Sequence, residues 1–562
     1  MDNINVLLMS SHRDSSDFYV SLAPSEGLYR LKNYLNINSI QCDVHDPELN
    51  PEMTCTYLSK VSQGSYNIIG MGITHQNMVN DLNMLMKYRD ATKTSKKLSL
   101  IIAGGAEATL NYKTWLNVPD IDLIILGFGE IPLLELCLYF SKFLSDNPAA
   151  TSVSSFKETS LNRIDSIAYL DNNNKLVVNH APVLKKPLFE NLFYDQCFVM
   201  DIPYNKYWRA VKKASTEKKL NFHNNRFFAE NIRLYTSSHC NKKCGFCSSP
   251  AFLPEAQNQK CKTMILSAEQ VHDLVLHNTD KYGAKSILFS DDDFMDPKRS
   301  MRFCELIINS KQSGRLPKDL VLNSQSRVDN FLVRQNSVWK VNYDLIKLCK
   351  KAGFYTFTLG IETFSDRLLK CPSVNKRGYK EYQIKLVLNA MLEVNLNPCI
   401  NLILIIPDTT IEELVYTMKM SKEYVMKGCQ LAPTSLMDIL PGAPITQMPQ
   451  YKYTTLSWKH DETSKEIRIE DVAIPNHPEI QKIYTQIKDV ASDVRTYFLE
   501  HSLLTNDAVP KPLTGIFSFI AIARLLGMKE LEDDFMKSAW KIVHREGFNK
   551  DEKNTSSPKF QI

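Results

Sequence analysis

The chain runs to 562 residues, 44% hydrophobic and 23% charged, with 67 Lys and Arg against 62 Asp and Glu for a formal charge of +5. A chain this long supports about three folded units with cores of their own, and so slight a positive excess does not by itself point to nucleic acid. Its longest apolar runs, such as Leu402 to Pro407, fall far short of the roughly 20 residues of a membrane span. Met1 to Asn5 lacks the cationic and apolar regions of a secretory signal, so a cytoplasmic chain without membrane contact is expected.

From the N-terminus, strand-like Ile4 to Met9 is followed by a helix near Gly27 to Leu35, strands at Ile40 to His45 and Ile68 to Ile73, and a helix from Asn77 to Tyr88. Strands at Leu98 to Ala103 and Leu123 to Leu126 and a helix from Ile131 to Phe143 complete the series. This alternation predicts an α/β domain over residues 1–150 with a flavodoxin- or Rossmann-like parallel sheet. Ligands of such sheets sit beyond the carboxyl ends of the strands, where this sequence carries Thr74-His75, Gly104-Gly105 and Gly127-Phe128-Gly129-Glu130. Residues 151–230 read as a connector, with a hairpin in Ile164 to Leu184 around Asp171 to Asn174. Within it, residues 205–228 mix lysines and arginines with Tyr207, Trp208 and Phe222, a solvated helix with aromatic anchors in preference to an RNA-facing patch.

A second series fills residues 231–450, with strands at Ile232 to Thr236, Ser286 to Ser290, Asp319 to Asn323, Tyr355 to Leu359, Cys399 to Ile406 and Ser435 to Leu440. Six strands alternating with helices predict a partial (β/α)6 barrel. Residues 451–562 read as mainly helical, from Pro478 to Leu503 and from Thr514 to His544, before a polar tail expected to be disordered. This region, with Trp458, Tyr484, Tyr497 and Phe517, is a candidate cap for the barrel.

Thirteen cysteines in such a chain do not make a disulfide scaffold, and ten of them, scattered singly, read as small buried hydrophobes. The other three stand together in Cys240-Asn-Lys-Lys-Cys244-Gly-Phe-Cys247, just after the first strand of the second series. A structural zinc site needs a fourth ligand, here His239 or the more distant Cys261. Three thiolates also suit an iron–sulfur cluster that keeps one iron open.

The spacing Cys-x-x-x-Cys-x-aromatic-Cys, with Phe246 as the aromatic, resembles the signature of the radical S-adenosylmethionine (SAM) superfamily. The resemblance implies a 4Fe-4S cluster on Cys240, Cys244 and Cys247 that cleaves SAM to a 5'-deoxyadenosyl radical. It also implies SAM contacts at the barrel strand ends: Phe246, Asp291 and Asp292 of Asp291-Asp292-Asp293-Phe294, Ser324 and Arg327, and Glu362 of Gly360-Ile361-Glu362. A Rossmann-like domain ahead of the barrel, with the two glycine marks, is similar to the cobalamin-dependent class. That similarity implies cobalamin held at Thr74, His75, Gly104, Gly105, Gly127, Gly129 and Glu130. Asp43-Val44-His45 does not reproduce the Asp-x-His-x-x-Gly of domains that ligate cobalt through histidine, and His239 and Asn241 replace the small residue and proline usual around the first cysteine. His75 reads equally as a cobalt-side contact or a surface histidine. The activity implied is cobalamin-dependent methylation of an unactivated carbon of a small-molecule or natural-product intermediate, with a peptide substrate also open and a flavodoxin or ferredoxin as electron donor. Radical cyclisation or rearrangement without methyl transfer is the nearest alternative, and a non-catalytic iron–sulfur or zinc protein the remoter one. A tRNA methylthiotransferase is disfavoured, because Cys42, Cys55 and Cys137 do not have the spacing of a second cluster.

Overall fold

The computed structural model describes residues 4–13, 23–217, 230–336, 338–504, 509 and 511–545. Five parallel strands open the chain: β1 (Asn5–Met9), β2 (Gln41–His45), β3 (Ile68–Gly72), β4 (Leu100–Gly104) and β5 (Leu123–Ile125), in the order β2-β1-β3-β4-β5. Successive residues of a strand point to opposite faces. Leu7, Met9, Ile69, Met71 and Ile101 accordingly enter one core, while Val6, Leu8, Ile68, Leu100 and Ile102 enter another. Helices cover both faces, and each aliphatic side chain fully buried there contributes about 1.5–3 kcal/mol.

The expected hairpin exists as β6 (Ile167–Leu170) and β7 (Leu176–Asn179), yet it is not a separate connector. β6 pairs antiparallel with β5 and extends the first sheet to seven strands among the described residues. Pairing satisfies the edge that the three-residue β5 would otherwise leave open, and Ile167 and Ala168 are fully buried by it. In the helix Tyr204–Glu217, Tyr207 is buried and the Trp208 indole donates to the Asn231 carbonyl at 3.2 Å, as aromatic anchors would. The rest of the basic stretch, with Lys218, Lys219, Phe222 and Arg226, lies outside the described residues.

The second sheet is parallel throughout: β8 (Asn231–Leu234), β9 (Ser286–Phe289), β10 (Val321–Ser326), then, past a small hairpin of β11 (Leu332–Gln335) and β12 (Val338–Val341), β13 (Phe354–Glu362), β14 (Cys399–Ile405) and β15 (Gln430–Leu436). These six strands lie in chain order from β8 to β15, with helices on one face, as a partial barrel requires. The last strand ends four residues earlier than expected. Ile439 N–H is taken by the Asp471 carbonyl, so this segment pairs elsewhere.

That partner belongs to an unforeseen ribbon, β16 (Lys452–Lys459) and β17 (Glu466–Ile474), which lies on the first unit. Trp458, Ile467 and Ile469 share a core with Trp115 and Val118, and the Trp458 indole donates to Asn83 at 2.9 Å. The helices that follow, Pro478–His501, Lys511–Leu525 and Lys529–Arg545, do not cap the barrel mouth. Gly515 is pressed against Pro433, and the Ser518 and Ser435 hydroxyls are 2.5 Å apart, which puts these helices in the outer layer beside β15. Tyr497 and Phe517 pack on Phe498 within that layer. The expected disordered tail, residues 546–562, lies outside the described residues. Among the described residues, no helix is long and apolar enough to cross a membrane.

Candidate metal centre and adjoining cleft

The three clustered cysteines sit in an excursion between β8 and the helix Ala268–Tyr282, closed at its base. Ser237 bridges to Ile265, Ser238 N–H donates to the Met264 carbonyl, and Leu266 N–H to that of Thr236. Asp291 fixes the point of departure, accepting from Thr236 N (2.8 Å), Thr236 Oγ1 (2.6 Å) and Ser237 Oγ (2.5 Å). At 2% exposure, with three donors on its carboxylate, Asp291, expected as a SAM contact, is engaged here in holding the scaffold. Burial pushes its carboxyl up from the ordinary range.

Gly245 is the tightest point of the loop. A Cβ there would lie 2.0 Å from the Pro372 carbonyl oxygen and 2.6 Å from that of Ser373, and both are backbone atoms that cannot swing away. The Gly245 N–H donates to Val374 O, its carbonyl accepts from Ile445 N, and Asn375 Nδ2 donates to Lys243 O. The loop is thus gripped by two other barrel loops.

Among the described residues the cysteines are free of disulfides, and no three His, Cys, Asp or Glu side chains converge closely enough to hold a single metal ion. Burial pushes the Cys240 thiol up to about 11 and that of Cys247 up to about 12. Donors face the sulfurs: Lys242 N–H is 3.5 Å from Cys240 Sγ, and the Arg327 guanidinium is 3.5 Å from Cys244 Sγ while bonded to Asp329 at 2.9 Å. Three free thiols on one braced loop, two of them offered a hydrogen-bond donor, fit a thiolate-ligated cluster.

Strand register sorts the other expected contacts. Arg233, Asn323, Gln325, Thr358, Asn401 and Thr434 fall on one face of the second sheet. The opposite face, with Phe289, Phe357 and Leu402, is packed against helices. Ser324 is in register with Phe289 and Phe357 and 1% exposed, so the open face is served by Gln325 instead. Asp292 remains exposed beside the cysteine loop and accepts from the Ser249 hydroxyl. Glu362, at a β-bulge with φ of 64°, is 3% exposed and bonded at 2.5 Å to Lys376, which also donates to Gly360 O at 2.6 Å. It is committed to that pair. Lys376, whose ammonium lies 5.9 Å from the centre of the Phe246 ring, had no signal in the sequence.

Across from this loop stand the strand ends of the first sheet. Gly104 ends β4, and Gly105 has φ of 94°, a conformation open to glycine. Gly127 N–H is bonded to Thr109, Phe128 packs on Phe193 and Phe252, and Gly129 abuts Leu31. Glu130 is buried in an ion pair with Arg30 at 3.0 Å, which takes it out of the expected ligand set. Thr74 is bonded through N and Oγ1 to Asp81. His75 is 9% exposed, not a surface residue, with Nδ1 3.3 Å from Glu107 Oε2. His45 is a core histidine between Tyr88 and Thr54, so its partial motif match has no bearing on a ligand. The two sheets meet through the helix Phe252–Gln257, where Ala256 lies against Gly127, and through Gly442, which lies against Leu110.

Residues 234–421 match the Radical SAM superfamily family description. A cytidylyl-2-hydroxyethylphosphonate methyltransferase of Streptomyces wedmorensis is 22% identical over 313 residues, 54% of this chain and 51% of the relative, so the chain matches about half that relative's length. The radical enzyme OxsB, solved with aqua-cobalamin and SAM, aligns with a TM-score of 0.61 at 14% identity, covering 97% of this chain and 80% of OxsB. The methyltransferase TsrM from Kitasatospora setae, solved with cobalamin and a [4Fe-4S] cluster, gives 0.61 at 12% identity over 96% of this chain and all of TsrM. The cysteine loop thus stands at the head of the segment that matches the Radical SAM superfamily, and along nearly its whole length the chain shares the fold of OxsB and TsrM.

Proposed function

We propose that this protein is a cobalamin-dependent radical SAM methyltransferase that alkylates an unactivated carbon of a small-molecule or natural-product intermediate. The observation that carries the reading is three free thiols on a braced loop that leads into the helix Phe252–Gln257, which packs at the carboxyl edge of a Rossmann-like sheet. The activity of the Streptomyces relative and the cofactors of the two structural neighbours support it.

Cys240, Cys244 and Cys247 would hold a 4Fe-4S cluster, Asp292, Gln325 and Arg327 border the SAM position, and the turns at His75 and Gly105 border the corrinoid. Bound there, these groups would supply one-electron cleavage of SAM and a transferable methyl group. The chain's own contribution is positional. Asp291 anchors the start of the loop, and the Pro372 to Val374 backbone holds its middle. Arg327 offers Cys244 Sγ a hydrogen bond at 3.5 Å. The thiols of Cys240 and Cys247 must lose protons to bind iron, so loading should quicken as pH rises.

Anaerobic reconstitution with iron, sulfide and hydroxocobalamin, then desalting and absorption spectroscopy, tests the reading beside a variant combining Cys240→Ala, Cys244→Ala and Cys247→Ala. Near-stoichiometric cobalamin in both proteins, with iron–sulfur absorption in the wild type alone, is expected. A cluster without cobalamin would remove the methyl-transfer reading, and absorption that persists in the variant would remove the cluster assignment.

A further inference from the structure

We propose that His75 is an axial ligand to the cobalt of the bound corrinoid, oriented for that role by Glu107; the assignment rests on the cobalamin reading above. Five histidines among the described residues are buried: His45, His75, His239, His272 and His460. Four have a ring nitrogen bonded, to Tyr88, Ser238, Ser310 and Asp120 respectively. His75 is the exception, since neither ring nitrogen has a hydrogen-bond partner. Nδ1 lies 3.3 Å from Glu107 Oε2, in contact but not aligned as a hydrogen bond, and the other Glu107 oxygen, also buried, is unpartnered. Buried polar groups left without partners are rare and call for an explanation.

The position is built, not accidental. Thr74, immediately before His75, is pinned by two bonds to buried Asp81, which also takes the Ser11 hydroxyl at 2.5 Å. His75 then opens the short turn His75–Asn77 at the carboxyl end of β3, a central strand of the first sheet. Asp438, exposed just past β15, and half-buried Asp471 of β17 both act on the imidazole electrostatically without a hydrogen bond to it. Beyond Glu107, the charges nearest the enclosed ring thus come from the far end of β15 and from the ribbon, with both ring nitrogens buried where the two sheets approach.

A metal-bound histidine commonly gives its second ring N–H to a carboxylate, which fixes its tautomer and strengthens it as a donor. His75 and Glu107 supply that pair. Because no third protein ligand converges on them among the described residues, they do not form a protein-built metal site. One imidazole suffices where a macrocycle supplies the remaining nitrogens.

The test is electron paramagnetic resonance of the full chain loaded with cobalamin and reduced to the Co(II) state, in protein with natural-abundance or 15N-labelled histidine. A three-line nitrogen splitting that becomes two-line on labelling is expected, and His75→Ala should lose it while Glu107→Gln weakens it. A splitting insensitive to the label, which would come from the corrinoid's own nucleotide base, or no nitrogen splitting, overturns the assignment. The labelling comparison uses wild-type protein, so it stands even if a variant misfolds. Wild-type protein that retains no corrinoid absorbance after desalting overturns the cobalamin reading itself, an outcome distinct from retained corrinoid without a histidine ligand.

Discussion

Replacing Lys376 by methionine keeps the length of the side chain and removes its charge, leaving Glu362 facing an apolar neighbour. Lys376 and Glu362 are 4% and 3% exposed, and the lysine also serves the Gly360 carbonyl. Removing one partner of a buried pair strands the other charge at a cost of about 3–5 kcal/mol. At roughly 1.4 kcal/mol per tenfold, amides of Phe354–Glu362 that exchange by opening of that strand should exchange about a hundred to several thousand times faster, read by hydrogen-exchange mass spectrometry. Adding Glu362→Gln neutralises the stranded charge and should recover most of the loss. A Lys376→Met protein within about 1 kcal/mol of wild type, or a double variant no better than the single one, would refute the claim that the pair is buried and coupled.

Gly245→Ala drives a methyl group into the Pro372 and Ser373 carbonyls; iron retained per chain after reconstitution should fall sharply, with Gly27→Ala, where no atom lies within 4 Å, as the control. Burial raises the Glu26 carboxyl from 4.5 to about 7 despite the Tyr204 hydroxyl at 2.7 Å. The proton is held more tightly when folded, so the stabilisation is complete below pH 4.5 and is lost as pH rises through about 7. Partial exposure discounts this to about 1–3 kcal/mol, and Glu26→Gln should flatten melting temperature against pH over that window. Trp458→Ala empties a buried indole site at about 3–5 kcal/mol, and proteolysis within residues 452–474 should accelerate at least about tenfold.

The cluster loop was legible because its chemistry is local: three thiolates within eight residues carry their own spacing. The parallel sheets were legible because apolar runs alternate with helical periodicity. What escaped notice depends on contacts distant in sequence. Nothing near Lys376 announces that it neutralises Glu362, and no pattern in Asp291-Asp292-Asp293 says that the first aspartate is spent on Thr236 and Ser237 while the second stays open. Ser324 and Gln325 were separable only once register was known, because a shift of one residue exchanges the faces of a strand. The ribbon of β16 and β17 was missed although Glu466 to Glu470 alternates polar with apolar residues, because the segment is polar overall and stabilises itself on a surface more than 300 residues earlier.

That ribbon changes what counts as the first unit. The Trp458 to Asn83 bond joins positions 375 apart, and His460 reaches Asp120 nearby. The barrel is, in effect, inserted into the N-terminal unit, which is finished only when the chain returns to it. During synthesis the apolar surface around Trp115 and Val118 must wait, uncovered, for residues 452–474 to emerge, so the interval before their release is when a holding chaperone would matter most. An excised piece ending near residue 200 would carry that bare surface permanently; a usable isolated fragment needs the ribbon supplied in trans or grafted back.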